Sequence, residues 1–223
     1  MKEAPWSLKD LREYVRRLPG DRHFILSAIS SLDWSDRIFR YHFCEARDAL
    51  RAIPIDKDDP TSIKNHELLF LSSDEHDYNM LVVRANVIAC IHTVRNAYDH
   101  LAQLCNALLI SPPISVDKCD FHKVREQLPP SALKQELDAL SASPWFKYVA
   151  AYSNTSKHRT LVQQSLHLSY ADGVAGLRVE AFTHDRSYGP YMVGDLLEGI
   201  LLVKNHILAC GKALNSQVVP VNG

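Results

Sequence analysis

Nine apolar residues, Met80, Val83, Val87, Cys90, Val94, Ala97, Leu101, Leu104 and Leu108, recur in alternating steps of three and four. That period belongs to an α-helix packed lengthwise against other helices and excludes a strand. The spacing predicts one helix from about Asp74 to Ile110. At about 100° per residue, His92, Arg95, Asn96, Asp99, His100 and Gln103 fall on an arc opposite the apolar seam. They are expected to face water or a partner. A solvated face usually mixes Lys with Glu, whereas this one carries imidazoles, a guanidinium and side-chain amides.

The rest of the chain follows the same period. Ser7 is placed to cap a short helix bearing Leu8, Leu11, Val15 and Leu18, which Pro19-Gly20 stops. A longer helix runs to about Ile53, with Phe39, Phe43, Ala46, Leu50 and Ile53 on one side and Arg37, Arg40, Arg47 and Arg51 in a stripe beside them. Pro54 to His66, with Asp56, Asp58, Asp59, Pro60 and Thr61, is a polar connection. Ser111-Pro112-Pro113 ends the long helix. Pro129-Pro130 opens a short one with Leu133, Leu137 and Leu140 inward, and Ser143-Pro144 starts another that reaches about His158. The period then changes to two. Leu166, Leu168 and Tyr170, then Leu177, Val179 and Ala181, flank Asp172-Gly173, giving a β-hairpin within about residues 160–185. A last helix, about Val193 to Leu214, carries Leu196, Ile200, Val203, Ile207, Cys210 and Leu214. The expected fold is mainly α: an up-and-down helical bundle with a small β-hairpin insertion before the last helix, formed by residues 1–223 as a single domain.

Composition removes several function classes. Lys+Arg 25 against Asp+Glu 26 leaves no whole-molecule field for nucleic acid, so any such site must be a local patch. The segment from Met1 to Leu18 is charged and amphipathic, without an apolar signal core, and no stretch reaches membrane-spanning length. A soluble cytoplasmic protein with no membrane partner is expected. The five cysteines, Cys44, Cys90, Cys105, Cys119 and Cys210, form no Cys-x-x-Cys pair and suggest neither a disulfide framework nor a thiolate zinc site. His66, His92, His122, His184 and His206 form no Glu-x-x-His or His-x3-His pair, so no metal or other cofactor is expected. Gly-x-Ser-x-Gly and glycine-rich phosphate loops are lacking.

Arg95-Asn96-Ala97-Tyr98-Asp99-His100 concentrates the remaining chemistry. Asn96 and His100 are one turn apart on one helix face. Arg37 to His42 has the same Arg-x4-His spacing, but Ile38 follows that arginine where Asn96 follows Arg95. The Arg95 segment resembles the Arg-polar-x-x-x-His motif of the HEPN superfamily, helical-bundle proteins many of which are metal-independent ribonucleases or toxins. Asn154-Thr155-Ser156-Lys157-His158-Arg159, preceded by an aromatic run, is similar to the Asn-x-x-Lys-His-Arg ending of a late helix in several HEPN-like families.

The resemblance implies cleavage of single-stranded RNA by attack of a 2′-hydroxyl on its own phosphodiester, in a toxin or defence effector. Histidine transfers protons near neutral pH, and arginine matches phosphate oxygens with a permanent charge. His100 is therefore expected to move the proton, Arg95 to stabilise the phosphate and Asn96 to position either. Asn154, Lys157, His158 and Arg159 are expected as secondary RNA contacts. One motif per chain leaves such a site short of groups, and a homodimer supplies a second set across a twofold axis. The alternative is a non-catalytic HEPN-like module for dimerisation, nucleotide sensing or regulation, with RNA or a nucleotide and a regulatory protein as partners. On the plainest reading, Arg95 and Asp99 form an ordinary i,i+4 ion pair, and Lys157, His158 and Arg159 complement a helix C-terminus.

Overall fold

A computed structural model describes residues 6–56, 59–70 and 73–220. Residues 1–5 of the amino-terminal segment and Asp58 of the polar connection lie outside the described residues. The chain is mainly α, with 69% of the described residues helical and a small antiparallel hairpin before the last helix. The helices are α1 (Leu8–Arg17), α2 (His23–Ala52), α3 (Ile63–Phe70), α4 (Asp74–Leu109), α5 (Phe121–Gln127), α6 (Ala132–Ala142), α7 (Pro144–His158) and α8 (Val193–Val218). The strands are β1 (Gln164–Ser169), β2 (Val174–Val179), β3 (Phe182–Thr183), β4 (Ser187–Tyr188) and β5 (Tyr191–Met192). No described helix is long and apolar enough to cross a membrane.

Contacts divide the chain into two compact units that interleave in sequence: residues 1–38, 93–147 and 201–223 form the first, residues 39–92 and 148–200 the second. Helices α2, α4, α7 and α8 contribute to both.

In the first unit, Ser7 caps α1 by accepting from the Asp10 amide, and Ser131 caps α6 in the same way through Lys134. Leu11, Val15, Ile29, Leu101, Leu104, Leu133, Leu137 and Leu140 are buried, together with Val203, Ile207, Cys210 and Leu214 of α8. Trp6 anchors the amino-terminal end: its indole Nε1 donates to Asn215 Oδ1 at 2.9 Å, and Asn215 Nδ2 donates to the Ser7 carbonyl at 2.7 Å. Gly211 leaves room for that ring, since a Cβ there would stand 2.2 Å from a Trp6 carbon. Gly211→Ala is therefore expected to destabilise the fold by about 1–2 kcal/mol, the overpacking cost exceeding the gain in helix propensity. Thermal melting checks this, with loss of the Trp6 fluorescence environment as the local signature.

In the second unit, β1 pairs antiparallel with β2 from Gln164 opposite Val179 to Ser169 opposite Val174, and β5 adds to the other edge of β2. Gly173 closes the turn at φ +63°, a left-handed conformation that glycine adopts without strain. Leu177 and Val179 are buried, as are Phe39, Ala46, Val83, Val87, Cys90, Tyr152, Leu196 and Ile200. Four details differ from the sequence expectation. Helix α3 begins inside the stretch assigned to the polar connection. Helix α5 stands where no element was expected, capped by Asp120 through the Lys123 amide. The two-residue strands β3 to β5 are too short to carry a period. Pro129-Pro130 precedes the cap of α6 rather than occupying its first turn.

Candidate functional site

The second half of α4 presents Arg95, Asn96, Asp99, His100 and Gln103 in the first unit. Arg95 is fixed from two sides. Its Nη1 lies against the Asp99 carboxylate one turn on, and its Cζ sits 4.4 Å from the centre of the Tyr98 ring. Tyr98 is itself buried against Phe121 and Phe146, with ring centres 5.5 Å and 4.7 Å away. The guanidinium thus rests on a buried ring, with cation–π attraction added to the ion pair.

His100 is half-buried, and its Nδ1 is buried without a hydrogen bond to any described residue. Burial lowers its pKa below 6.5 while Asp99 opposes the shift, so the imidazole is neutral at neutral pH. Asn96, one turn earlier, is exposed.

The face expected to meet water is partly covered by its own chain. After α4 the Pro112-Pro113 turn sends residues 110–120 back along the helix. Gln103 Nε2 donates to the Val116 carbonyl at 3.0 Å. Asn106 clasps the turn twice, its Nδ2 donating to the Ile114 carbonyl at 2.7 Å and its Oδ1 accepting from the Ile114 amide at 2.8 Å. A helical wheel shows angles around one helix and is blind to a segment that folds back over it. Asn96 is the member of this group that remains exposed.

His92, in the second unit, is held differently. Its Nδ1 lies 2.9 Å from Ser153 Oγ on α7, and burial, then the nearby Lys157 charge, lowers its pKa. Further along α7, Asn154 is half-buried and Lys157 and His158 are exposed, as is Arg159 just past the helix end. Arg159 is committed within the fold: Nη1 donates to the Thr183 carbonyl at 3.0 Å and the His184 carbonyl at 3.2 Å, tying the end of α7 to the β3–β4 turn. The two residue sets read from the sequence therefore belong to different units, the Arg95 set to the first and the Asn154–Arg159 set to the second.

Sequence reasoning passed over Tyr98 and Ser153. Tyr98 was legible in principle, three residues after Arg95 and so on an adjoining face. Ser153 was not, because its partner lies 61 residues away. Burial pushes the Cys90 and Cys105 thiols up to about 12, leaving them protonated and unreactive at neutral pH. No group of three or more His, Cys, Asp or Glu among the described residues is arranged to hold a metal ion.

The two depressed imidazoles make stability depend on pH. Each binds a proton less readily folded than unfolded, so the unfolded chain takes up more protons as pH falls through 6.5. Their contribution is fully present above 6.5 and declines on acidification below it. Melting temperature is expected to fall from pH 7 toward pH 5.5, with a shallower fall in the His92→Gln/His100→Gln double variant.

No protein-family model, curated protein or solved structure matches the chain.

Proposed function

We propose that the protein is a HEPN-like, metal-independent ribonuclease that cleaves single-stranded RNA, with His100, Arg95 and Asn96 as its working groups. The observation that carries this reading is the half-buried, neutral His100 imidazole one turn from the exposed Asn96, on the helix that fixes the Arg95 guanidinium. A neutral imidazole accepts a proton at neutral pH. His100 takes the proton of the ribose 2′-hydroxyl as its oxygen attacks the adjacent phosphorus. The bond from phosphorus to the 5′-oxygen breaks, and the imidazolium formed in that step passes its proton to the leaving oxygen. A second copy of the chain, paired across a twofold axis, brings its own Arg95, Asn96 and His100 to the same cleft. Arg95 offers donors beyond the one turned to Asp99 to the extra charge on the phosphate oxygens. Asn96 orients the phosphate. Lys157 and His158 are secondary phosphate contacts, and the products are a 2′,3′-cyclic phosphate and a free 5′-hydroxyl. In a toxin or defence role in the cytoplasm, a regulatory protein restrains the activity.

A second reading, a non-catalytic nucleotide-sensing or regulatory module, is favoured by one observation: Arg95 already has its charge met by Asp99 and its plane stacked on Tyr98. Overexpression in a bacterial host distinguishes the two. The ribonuclease slows growth, and His100→Ala relieves the effect at equal protein level. Equal toxicity of the two chains, or none from the parent, favours the module.

A further inference from the structure

Ser153 is fully buried on α7, and its hydroxyl makes no hydrogen bond to a described residue other than the one to His92 Nδ1 at 2.9 Å. A buried hydroxyl proton left without an acceptor is costly, and the bond to His92 gives it one. Ser153 therefore donates, Nδ1 accepts, and the ring proton of neutral His92 resides on Nε2. Lys157 follows Ser153 by one helical turn and so shares its face of α7. It is exposed and has no ion-pair partner among the described residues. His92, seated on α7 through Ser153, and the Lys157 ammonium one turn on thus share one face of that helix, near enough for the lysine charge to act on the ring, a pairing that suits an oxyanion.

We propose that His92 and Lys157 together bind a phosphate group, the imidazole donating from Nε2 and the ammonium supplying the charge. Burial and the Lys157 charge both hold the His92 pKa down, which preserves the tautomer that Ser153 selects. The bound anion accepts two hydrogen bonds, one of them charge-assisted. The phosphate belongs either to a nucleotide or to an RNA backbone. The assignment takes up the Lys157 contact of the proposed function, but its readout is binding, so it stands or falls apart from cleavage.

Nitrogen-15 spectra of the histidine rings, assigned by His92→Gln, test it directly. The expected spectrum has the His92 proton on Nε2, and His92 signals that shift saturably with inorganic phosphate. Lys157→Gln is expected to weaken this binding about tenfold, as for loss of one charge-assisted hydrogen bond, and Lys157→Arg to retain it. Both substitutions are at an exposed position and leave the core intact. The same titration with a nucleoside 5′-monophosphate and a short single-stranded RNA identifies the source as the tighter ligand. Persistence of the shift in His100→Ala, where cleavage is lost, separates the two proposals. A proton on Nδ1, His92 signals that none of the three ligands moves, or equal affinity in Lys157→Gln would overturn the assignment.

Discussion

Replacing His100 with glutamine is expected to lower RNA cleavage by about 10²–10⁴-fold, the range a positioned general acid or base contributes. Glutamine keeps much of the side-chain volume and can hydrogen-bond, so the half-buried position stays filled, but it does not exchange a proton near neutral pH. Because the native imidazole is depressed below 6.5 by burial, the acid limb of kcat/KM for the parent is expected below 6.5. That limb should disappear with the substitution. Single-turnover cleavage across pH checks both, beside far-ultraviolet circular dichroism to establish unchanged folding. Arg95→Lys is the sharper companion. It keeps the charge but loses the planar stack on Tyr98, so a loss of activity with retained RNA affinity points to geometry rather than charge at this position.

The second large effect falls on stability. Asn106 is 3% exposed, and its one amide satisfies both the N–H and the carbonyl of Ile114. Asn106→Ala is expected to cost about 2–4 kcal/mol, because each Ile114 group loses its partner in a partly buried setting. The damage is local in origin: this clasp holds residues 110–120 against the end of α4, where Gln103 meets Val116. Thermal denaturation measures the loss, and hydrogen exchange at the Ile114 amide identifies its source, rising well before exchange in the core of α4. Asn106→Asp tests the donor alone, since the carboxylate still accepts from the Ile114 amide but no longer donates to its carbonyl.

These two residues show how differently the sequence reveals a fold and a site. The α4 seam was legible because burial repeats with the helix: Val83, Val87, Cys90, Val94, Leu101 and Leu104 are buried. The seam of α8, from Leu196 to Leu214, is buried throughout for the same reason. Turn chemistry located the hairpin, where Asp172-Gly173 supplies the left-handed residue. Helix α5 escaped although Asp120 caps it, because seven residues hold only two turns and Phe121 and Val124 give too short a pattern to read. At the site, what lies within one turn was legible: Arg95 with Asp99 and Asn96 with His100 follow from helical spacing. What arrives from elsewhere in the chain was not. Asn106 looked like one more polar residue near a helix end, and its role depends on where the proline turn sends Ile114. The covering of Gln103 by Val116 and the pairing of His92 with Ser153 likewise depend on tertiary contacts without periodicity.

Incubating the purified chain with single-stranded RNA in the presence of chelator, beside Arg95→Ala and His100→Ala, shows whether this motif cleaves RNA. The parent is expected to cleave, leaving fragments that end in a 2′,3′-cyclic phosphate, and both variants to fold normally without cleaving. Absence of cleavage by the parent, or cleavage that survives loss of His100, would contradict the proposed function.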